Sequence, residues 1–230
     1  MASRRAALVP AAGSGVRLDD GRTGDPAVPK AFRLLAGQSL LRRCVALLVG
    51  LCDEVVVAVP GTHLEVARDD LAGLGAGVRV VVGGVDRGAS VARALAATHP
   101  QVETLVVHDA ARPLVPPDVV RRVLDALDAG AQVVVPTQPV SDSLRLLGAD
   151  GRSAPIDRSS ARAVQTPQGF RRTLLEQAHA VGHDISVTDD ASLVERLGVP
   201  VTLVEGDPLA FKITRPLDLL LAEAVLAAQR

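Results

Sequence analysis

Short apolar runs alternate with amphipathic stretches along most of the chain. The runs have the length of buried strands and occupy positions 6–9, 54–59, 78–82, 105–107, 133–136 and 201–204. Helical spacing of apolar residues predicts four helices over 39–49, 62–71, 117–129 and 216–228. A fifth follows the loop at 83–90 and ends near 98, and two more begin at 171 and after 188–190. Ser39 suits the N-cap of the first helix. The pattern is a strand–helix unit repeated along the chain.

This repeated unit predicts an α/β fold with a mostly parallel sheet and helices on both faces. Ligands of such sheets bind at the carboxyl ends of the strands. The loops that begin at Ala11, Gly83 and His108 all follow predicted strands, so we expect them to build the site. There is no internal repeat and no linker, and 230 residues suit one domain over 1–230.

The alternation ends at Val140. Residues 141–147, a turn at 149–152 and residues 156–158 have the pattern of a β-hairpin with little apolar surface. Because an isolated two-stranded hairpin is marginally stable, we expect this β-arm, residues 140–158, to pack on a second copy of the chain in a homodimer.

Composition excludes several classes of function. The formal net charge is -1, and aromatic residues make up 1% of the chain, so neither a nucleic-acid surface nor an anionic membrane is the expected partner. No apolar run reaches the roughly 18 residues of a membrane helix, and residues 1–5 lack a following signal-type apolar region, so we expect a cytoplasmic protein. The two cysteines, Cys44 and Cys52, are best explained as buried thiols, and the five histidines lack zinc-ligand spacing.

A loop of small residues follows the first predicted strand. Ala11, Ala12, Gly13 and Gly15 allow a tight turn whose backbone N–H groups can bind phosphates, and Arg17 and Lys30 lie on either side of the Gly/Pro-rich segment that follows. We therefore predict a triphosphate-binding loop. A P-loop and a dinucleotide fingerprint are both excluded by spacing. A plain structural turn stays open as an alternative.

Lysine is rare in this sequence. Lys30 and Lys212 are the only two lysines among 25 basic residues, and all the others are arginine. This usage indicates that a compact ammonium group is needed at these two positions, with chance as the alternative.

Eight short motifs occur in one order along the chain. They are A-A-G-x-G-x-R-L, P-K, G-G-x-x-R-x-x-S-V, V-H-D-A-A-R-P, D-R, T-P-Q, T-D-D and K-I-T-R-P. Together they resemble the 2-C-methyl-D-erythritol 4-phosphate cytidylyltransferases of the non-mevalonate isoprenoid pathway. The resemblance extends from residue 6 to about residue 226, and its most specific parts are V-H-D-A-A-R-P, T-D-D and K-I-T-R-P.

The resemblance implies a Rossmann-like nucleotidyltransferase fold with a protruding β-arm for dimerisation. It also implies an enzyme that uses CTP, methylerythritol 4-phosphate and Mg²⁺, and that releases pyrophosphate. By motif, Arg17 and Lys30 stabilise the transition state, and Arg158 and Lys212 position the methylerythritol phosphate. The further substrate-positioning residues are Arg112, Ser143 and Thr188. The nucleotide-binding residues are Ala11, Ala12, Gly13, Gly15, Gly84, Arg87, Ser90 and Thr166.

Residue chemistry supports some of these roles and leaves alternatives for others. Asp109 follows a predicted strand and is the best Mg²⁺ anchor, with an ordinary turn aspartate as the alternative. Arg112 follows two alanines that keep its loop thin, which would let it reach the acceptor; the alternative is a surface arginine. For Ser90 the alternative is a helix N-cap, and for Thr166 and Thr188 it is a structural turn or cap.

Three features depart from the family pattern. The segment between Arg17 and Lys30 is long, Val85 replaces a frequent acidic residue, and Ala210 and Phe211 replace an Asn-Ile pair. A ribitol 5-phosphate cytidylyltransferase is the nearest alternative function. A nicotinamide-dependent reductase is a second alternative, but it would need a third glycine at position 18, where this chain has Leu18. A third alternative, a CTP-binding sensor, would need neither Arg158 nor Lys212.

Overall fold

The computed structural model describes residues 4–13, 28–181 and 189–229. These ranges contain twelve strands and seven helices. The strands are β1 (Arg4–Pro10), β2 (Leu34–Leu35), β3 (Gln38–Ser39), β4 (Glu54–Val59), β5 (Val78–Val82), β6 (Val102–Val107), β7 (Val133–Pro139), β8 (Leu144–Leu147), β9 (Ser153–Ile156), β10 (Arg162–Val164), β11 (Gln168–Arg171) and β12 (Thr202–Glu205). The helices are α1 (Leu40–Val49), α2 (Leu64–Asp70), α3 (Arg87–Ala96), α4 (Pro117–Asp128), α5 (Arg172–Ala180), α6 (Asp190–Glu195) and α7 (Pro216–Ala228).

Eight of these strands form one sheet. Strands β6, β1, β4 and β5 lie side by side and pair in parallel, and β7 pairs in parallel with β12. Strand β11 lies between β6 and β7 and is antiparallel to both, and β10 pairs antiparallel with the end of β7. The predicted mostly parallel α/β fold is confirmed.

Helices cover both faces of the sheet because buried side chains alternate along its strands. On one face, Ala7 and Val9 of β1 belong to a core with α1 and α4. On the other face, Ala6 and Leu8 belong to a core with α3, α5 and α6. All four side chains are fully buried. A strand buried on both faces is typical of a parallel sheet between helix layers.

Most predicted elements are found close to their expected bounds. Ser39 caps α1, since its Oγ accepts a hydrogen bond from the Arg42 backbone N–H at 2.8 Å. The predicted helix over 62–71 begins instead as a 3-10 turn, Gly61–His63, and continues as α2. The pattern of the sequence did not predict β11, a short strand whose residues include Gly169 and the polar Gln168.

The β-arm contains an antiparallel hairpin. Strands β8 and β9 pair with each other in a separate two-stranded sheet. The hairpin leaves Leu146 and Leu147 exposed, at 63% and 71% of their surface.

No helix in the described ranges has the length and apolarity needed to cross a bilayer.

Candidate functional site

A pocket of about 540 Å³ opens at the carboxyl ends of β1, β5 and β6. It is lined by the loops after these three strands and by Lys30, Ala31 and Lys212 from other parts of the chain. The lining residues are Pro10, Ala11, Ala12, Gly13, Lys30, Ala31, Val85, Asp86, Arg87, Ser90, Asp109, Ala110, Ala111 and Lys212. The structure therefore brings the three predicted loops together at one edge of the sheet.

Eight of the predicted site residues line this pocket. They are Ala11, Ala12, Gly13, Lys30, Arg87, Ser90, Asp109 and Lys212. Three others, Gly15, Arg17 and Thr188, lie outside the described residues. Both lysines of the chain face the same pocket, although 182 positions of sequence separate Lys30 from Lys212.

The loop after β1 approaches the loop after β5 closely. The Ala11 backbone N–H donates to the Ala58 carbonyl at 2.7 Å, which holds the first loop against β4. A Cβ added to Gly83 would lie 2.5 Å from the Cβ of Ala12, and no real Cβ tolerates that distance. Small residues are therefore required where the two loops meet.

The loop from Gly83 into α3 is held by hydrogen bonds around Ser90. Ser90 Oγ accepts from the Gly84 N–H at 3.0 Å and donates to the Asp86 carbonyl at 2.8 Å. The N-cap of α3 is Asp86, whose carboxylate accepts from the Ala89 N–H at 2.7 Å. Ser90 lies one turn inside the helix, so the alternative of an N-cap role for Ser90 is wrong.

Asp109 is at the centre of the basic side of the pocket. Its Oδ2 accepts a hydrogen bond from Lys212 Nζ at 2.8 Å, and its Oδ1 accepts one from Arg87 Nε at 3.2 Å. Arg112 Nε lies 3.9 Å from Oδ2. Burial opposes ionisation of this carboxyl, but the charges of Arg87 and Lys212 outweigh it and hold its pKa well below the usual value. Asp109 is therefore an anion near neutral pH, and it faces three cations.

His108 and Thr166 support the Asp109 backbone. Thr166 Oγ1 accepts from the Asp109 N–H at 3.1 Å and is 2.9 Å from His108 Nδ1. Burial lowers the pKa of His108 to about 4, against the raising effect of Asp109, so the imidazole is neutral near pH 7. Thr166 is buried behind the pocket rather than in its lining. In this structure its contacts are those of a support for the Asp109 loop.

Arg112 points into the protein and holds the segment that contains Lys212. It donates to the Ala210 carbonyl at 2.6 Å and to the Val164 carbonyl at 3.3 Å. Nearby, the Ile213 N–H donates to the Ala111 carbonyl at 2.8 Å. The side chain of Arg112 is 11% exposed, so it is not the surface arginine considered as the alternative.

Two predicted site residues of the β-arm, Ser143 and Arg158, are not in the pocket lining of their own chain. Arg158 is exposed, and its guanidinium donates to the Ser141 carbonyl at 2.5 Å. Both residues belong to the arm rather than to the sheet edge. A single chain does not bring Arg158 together with Lys212 in the pocket lining.

Sequence reasoning missed two buried groups behind the pocket. Asp190 is the first residue of α6 and forms an ion pair with Arg87 at 2.6 Å. His179 of α5 is 3.1 Å from the other oxygen of Asp190. The T-D-D motif includes Asp190, but nothing local in the sequence indicates that its partner is an arginine 103 positions away.

Known proteins resemble this chain over nearly its whole length. The sequence model of the family 2-C-methyl-D-erythritol 4-phosphate cytidylyltransferase matches residues 5–228. Proteins of that name from Frankia casuarinae and Deinococcus radiodurans are 48% and 50% identical, over 97% and 96% of this chain and 82% and 89% of their own lengths.

Solved structures give the same result. The crystal structure of the protein of that name from Thermus thermophilus has a TM-score of 0.79 and 38% identity, and the match covers 97% of this chain and 99% of that one. A 4-diphosphocytidyl-2C-methyl-D-erythritol synthase from Anaerococcus prevotii has a TM-score of 0.84 at 25% identity, with 99% of each chain covered.

Proposed function

This chain belongs to the 2-C-methyl-D-erythritol 4-phosphate cytidylyltransferase family, and we propose that the pocket between β1, β5 and β6 performs that reaction. CMP is transferred from CTP to 2-C-methyl-D-erythritol 4-phosphate, which gives 4-diphosphocytidyl-2-C-methyl-D-erythritol and pyrophosphate for isoprenoid biosynthesis. The observation that supports this most strongly is the convergence of Lys30, Arg87 and Lys212 with the anionic Asp109 on one pocket.

The proposed chemistry is an in-line displacement at phosphorus. A phosphate oxygen of the acceptor forms a bond to the α-phosphorus of CTP while the bond to the bridging oxygen of pyrophosphate breaks. Negative charge spreads over the equatorial and leaving oxygens, so fixed cations are the useful catalytic groups. Lys30 lines the pocket and is proposed for this role, and Arg17, which follows the small-residue loop in sequence, is proposed to share it.

The reaction needs no general base. The nucleophile is a phosphate monoester, whose second pKa of about 6 leaves it largely dianionic at neutral pH. His108 is the one histidine beside the pocket loops in the described ranges, and it is fully buried. Its two ring nitrogens lie within hydrogen-bond distance of Thr166 Oγ1 and the Arg112 carbonyl, so it has a supporting role.

The nucleotide is proposed to bind between the loops after β1 and β5. The backbone N–H groups of Ala12 and Gly13 would contact the phosphates, while Ala11, whose own N–H is bonded to Ala58, holds that loop in place. The loop from Gly84 to Ser90 would contact the ribose and cytosine. Ser90 holds the Gly84 backbone in place, so its contribution to binding is through the shape of that loop.

Asp109 is the residue that would hold a divalent metal. Its carboxylate is anionic and lines the pocket, and Mg²⁺ in nucleotide sites is commonly held by one or two carboxylates and by substrate phosphates. Among the described residues there is no cluster of three or more His, Cys, Asp or Glu side chains for a metal, so the phosphates would supply ligands. Bound Mg²⁺ would neutralise charge on the phosphate oxygens.

The acceptor phosphate is proposed to bind at Lys212, with Arg112 holding the Lys212 segment in place. Ser143, Arg158 and Thr188 are proposed to complete the acceptor site. Because the arm residues Ser143 and Arg158 do not line the pocket of their own chain, we infer that they act in the pocket of a second copy in a homodimer.

A single domain over 1–230 and a cytoplasmic location stay predictions.

Release of pyrophosphate tests the function. We expect pyrophosphate to form from CTP only when 2-C-methyl-D-erythritol 4-phosphate and Mg²⁺ are both present. Equal turnover with UTP or ATP would contradict the cytosine assignment. Faster turnover with ribitol 5-phosphate would identify a different polyol phosphate as the acceptor, and CTP binding without turnover would indicate a sensor.

A further inference from the structure

The guanidinium of Arg87 lies between two buried carboxylates. Its Nε donates to Asp109 Oδ1 at 3.2 Å, and one terminal nitrogen donates to Asp190 Oδ2 at 2.6 Å. Asp109 lines the pocket, whereas Asp190 is at the start of α6 on the far side of the guanidinium. Arg87 is the first residue of α3, so two helices meet at this ion pair.

Asp190 has no access to a substrate. It is 1% exposed and is absent from the pocket lining. Its Oδ1 is 3.1 Å from His179 Nε2, so each carboxylate oxygen has its own partner. Burial opposes its ionisation, but the charge of Arg87 and the contact with His179 outweigh it and keep the pKa of Asp190 below its usual value.

The two carboxylates compete for one guanidinium. An arginine with a single carboxylate partner prefers a bidentate pair, with two parallel N–H groups on the two oxygens. Here Arg87 gives its shorter contact to Asp190 and only Nε to Asp109. The second oxygen of Asp109 accepts from Lys212 and not from Arg87.

We propose that Asp190 is a positioning residue for the reaction. It holds Arg87 away from a bidentate pair with Asp109, so that Asp109 Oδ2 keeps Lys212 as its partner and would be the oxygen offered to the divalent cation that binds with the nucleotide. The proposal rests on the function proposed above and adds to it a residue that acts only through Arg87. Neutralising Asp190 would leave Asp109 as the one charged partner, and the guanidinium would close on it.

The test is the affinity for CTP in the presence of Mg²⁺, measured by calorimetry without the acceptor so that no turnover occurs. Asp190→Asn keeps the size of the side chain and removes its charge, and we expect the dissociation constant to rise about tenfold, or about 1.4 kcal/mol. Asp189→Asn is the matched control. Asp189 Oδ1 caps the same helix and Oδ2 accepts from Gln168 Nε2. Asparagine keeps the cap and loses only the bond to Gln168, which does not line the pocket, so wild-type affinity is expected.

A double-mutant cycle separates positioning from a general effect on the fold. In the Arg87→Ala background, Asp190→Asn is expected to cause no further change in CTP affinity, because the group on which it acts is absent. The same tenfold loss in that background would overturn the proposal. The proposal would also be overturned if Asp190→Asn bound CTP as tightly as the wild-type protein while Arg87→Ala bound it more weakly.

A second variant keeps the test decisive if Asp190→Asn does not fold. Arg87→Lys retains the charge, but one ammonium lacks the planar fork that spans both carboxylates. We expect it to bind CTP about tenfold more weakly, and wild-type affinity would contradict the proposal. Failure of the wild-type protein to bind CTP would instead contradict the proposed function, so the two failures are distinguishable.

Discussion

At the scale of single residues, the site carries more positive than negative charge, even though Asp86 also lines the pocket and Asp190 pairs with Arg87. Lys212, Arg87 and Arg112 lie within 4 Å of Asp109, and Lys30 lines the same pocket. A triphosphate and a phosphate monoester are both polyanions, so this surplus suits two anionic substrates. Both lysines of the chain line this pocket, which agrees with the interpretation that lysine is retained where a compact ammonium group is needed.

Lys30 and Lys212 are expected to differ in their kinetic effect. Lys30→Ala should lower kcat by about 10²–10³-fold with a smaller change in KM, since its charge acts on the developing transition state. Lys212→Ala should chiefly raise the KM for the acceptor. Steady-state kinetics with each substrate varied in turn measures both. A Lys30→Ala enzyme with normal kcat and a raised KM for CTP would show that Lys30 binds the ground state.

At the scale of elements, the glycines after β5 are fixed by packing rather than by a turn. A Cβ on Gly84 would lie 2.3 Å from the Cβ of Ala89 in α3. The loop therefore contacts the first turn of the helix directly. Together with the bonds of Ser90, this contact gives the loop one shape.

Gly84→Ala is expected to weaken CTP binding about tenfold or more, because the loop must move away from α3 to admit the methyl group. Gly50→Ala is the control. Its added Cβ would meet only the Leu47 carbonyl at 3.7 Å, and its φ of -77° suits alanine, so affinity and stability should hold. Titration of both variants with CTP measures the difference, and equal affinities would show that the loop tolerates displacement.

The start of α7 provides a prediction about pH. Asp218 accepts hydrogen bonds from the Thr214 and Arg215 N–H groups at 2.7 and 2.8 Å. Its small degree of burial opposes ionisation, but these bonds outweigh it and keep the pKa of Asp218 below its usual value. A carboxyl whose pKa is lower in the folded state stabilises the fold above its unfolded pKa and loses this effect as the pH falls.

We expect Asp218→Ala to reduce the unfolding free energy by about 1 kcal/mol near pH 7. The gap to the wild-type protein should narrow as the pH falls below about 4, where the carboxyl is protonated in the unfolded chain. Urea denaturation over a series of pH values measures this difference in unfolding free energy. Glu223→Ala, at an exposed position of the same helix, is the control, and a gap for Asp218→Ala that does not change with pH would contradict the explanation.

At the scale of the whole molecule, the sheet and the β-arm have different roles. The sheet edge brings the loops proposed to bind the nucleotide together with Asp109 and Lys212 within one chain. The arm is a separate two-stranded sheet that leaves Leu146 and Leu147 exposed. An arm with so little buried surface of its own is stabilised if it packs on a second copy, and there it would bring Arg158 to the partner pocket.

Mixed dimers test this arrangement. Arg158→Ala and Lys30→Ala homodimers should both be inactive. After random subunit exchange, half of the dimers are mixed, and in each of these one site has both lesions and the other has none. Activity should therefore return to roughly a quarter of the wild-type value for two-fold symmetric dimers. A mixture that exchanges subunits but stays inactive would place Arg158 in its own chain's site.

The hydrophobic pattern alone determined the layered α/β fold and the edge at which the site lies. Short apolar runs mark strands that are buried between two helix layers, and the carboxyl ends of parallel strands lie at one edge of the sheet. The eight predicted site residues that line the pocket were named by the motifs of the family resemblance and by residue chemistry, not by the hydrophobic pattern. Motif spacing selected the family, since the order of the eight motifs does not depend on how the chain folds.

Tertiary structure decided how the site residues are held. Strand β11 lies between β6 and β7, and there Gly169 packs so closely on α4 that an added Cβ would be 2.6 Å from Val123 Cγ1, which no local pattern indicates. Arg112 turns inward because the Ala210 and Val164 carbonyls accept its donors. Asp190 pairs with Arg87, 103 positions away. Periodicity specifies burial along the chain, whereas these contacts depend on which distant segments the fold places side by side.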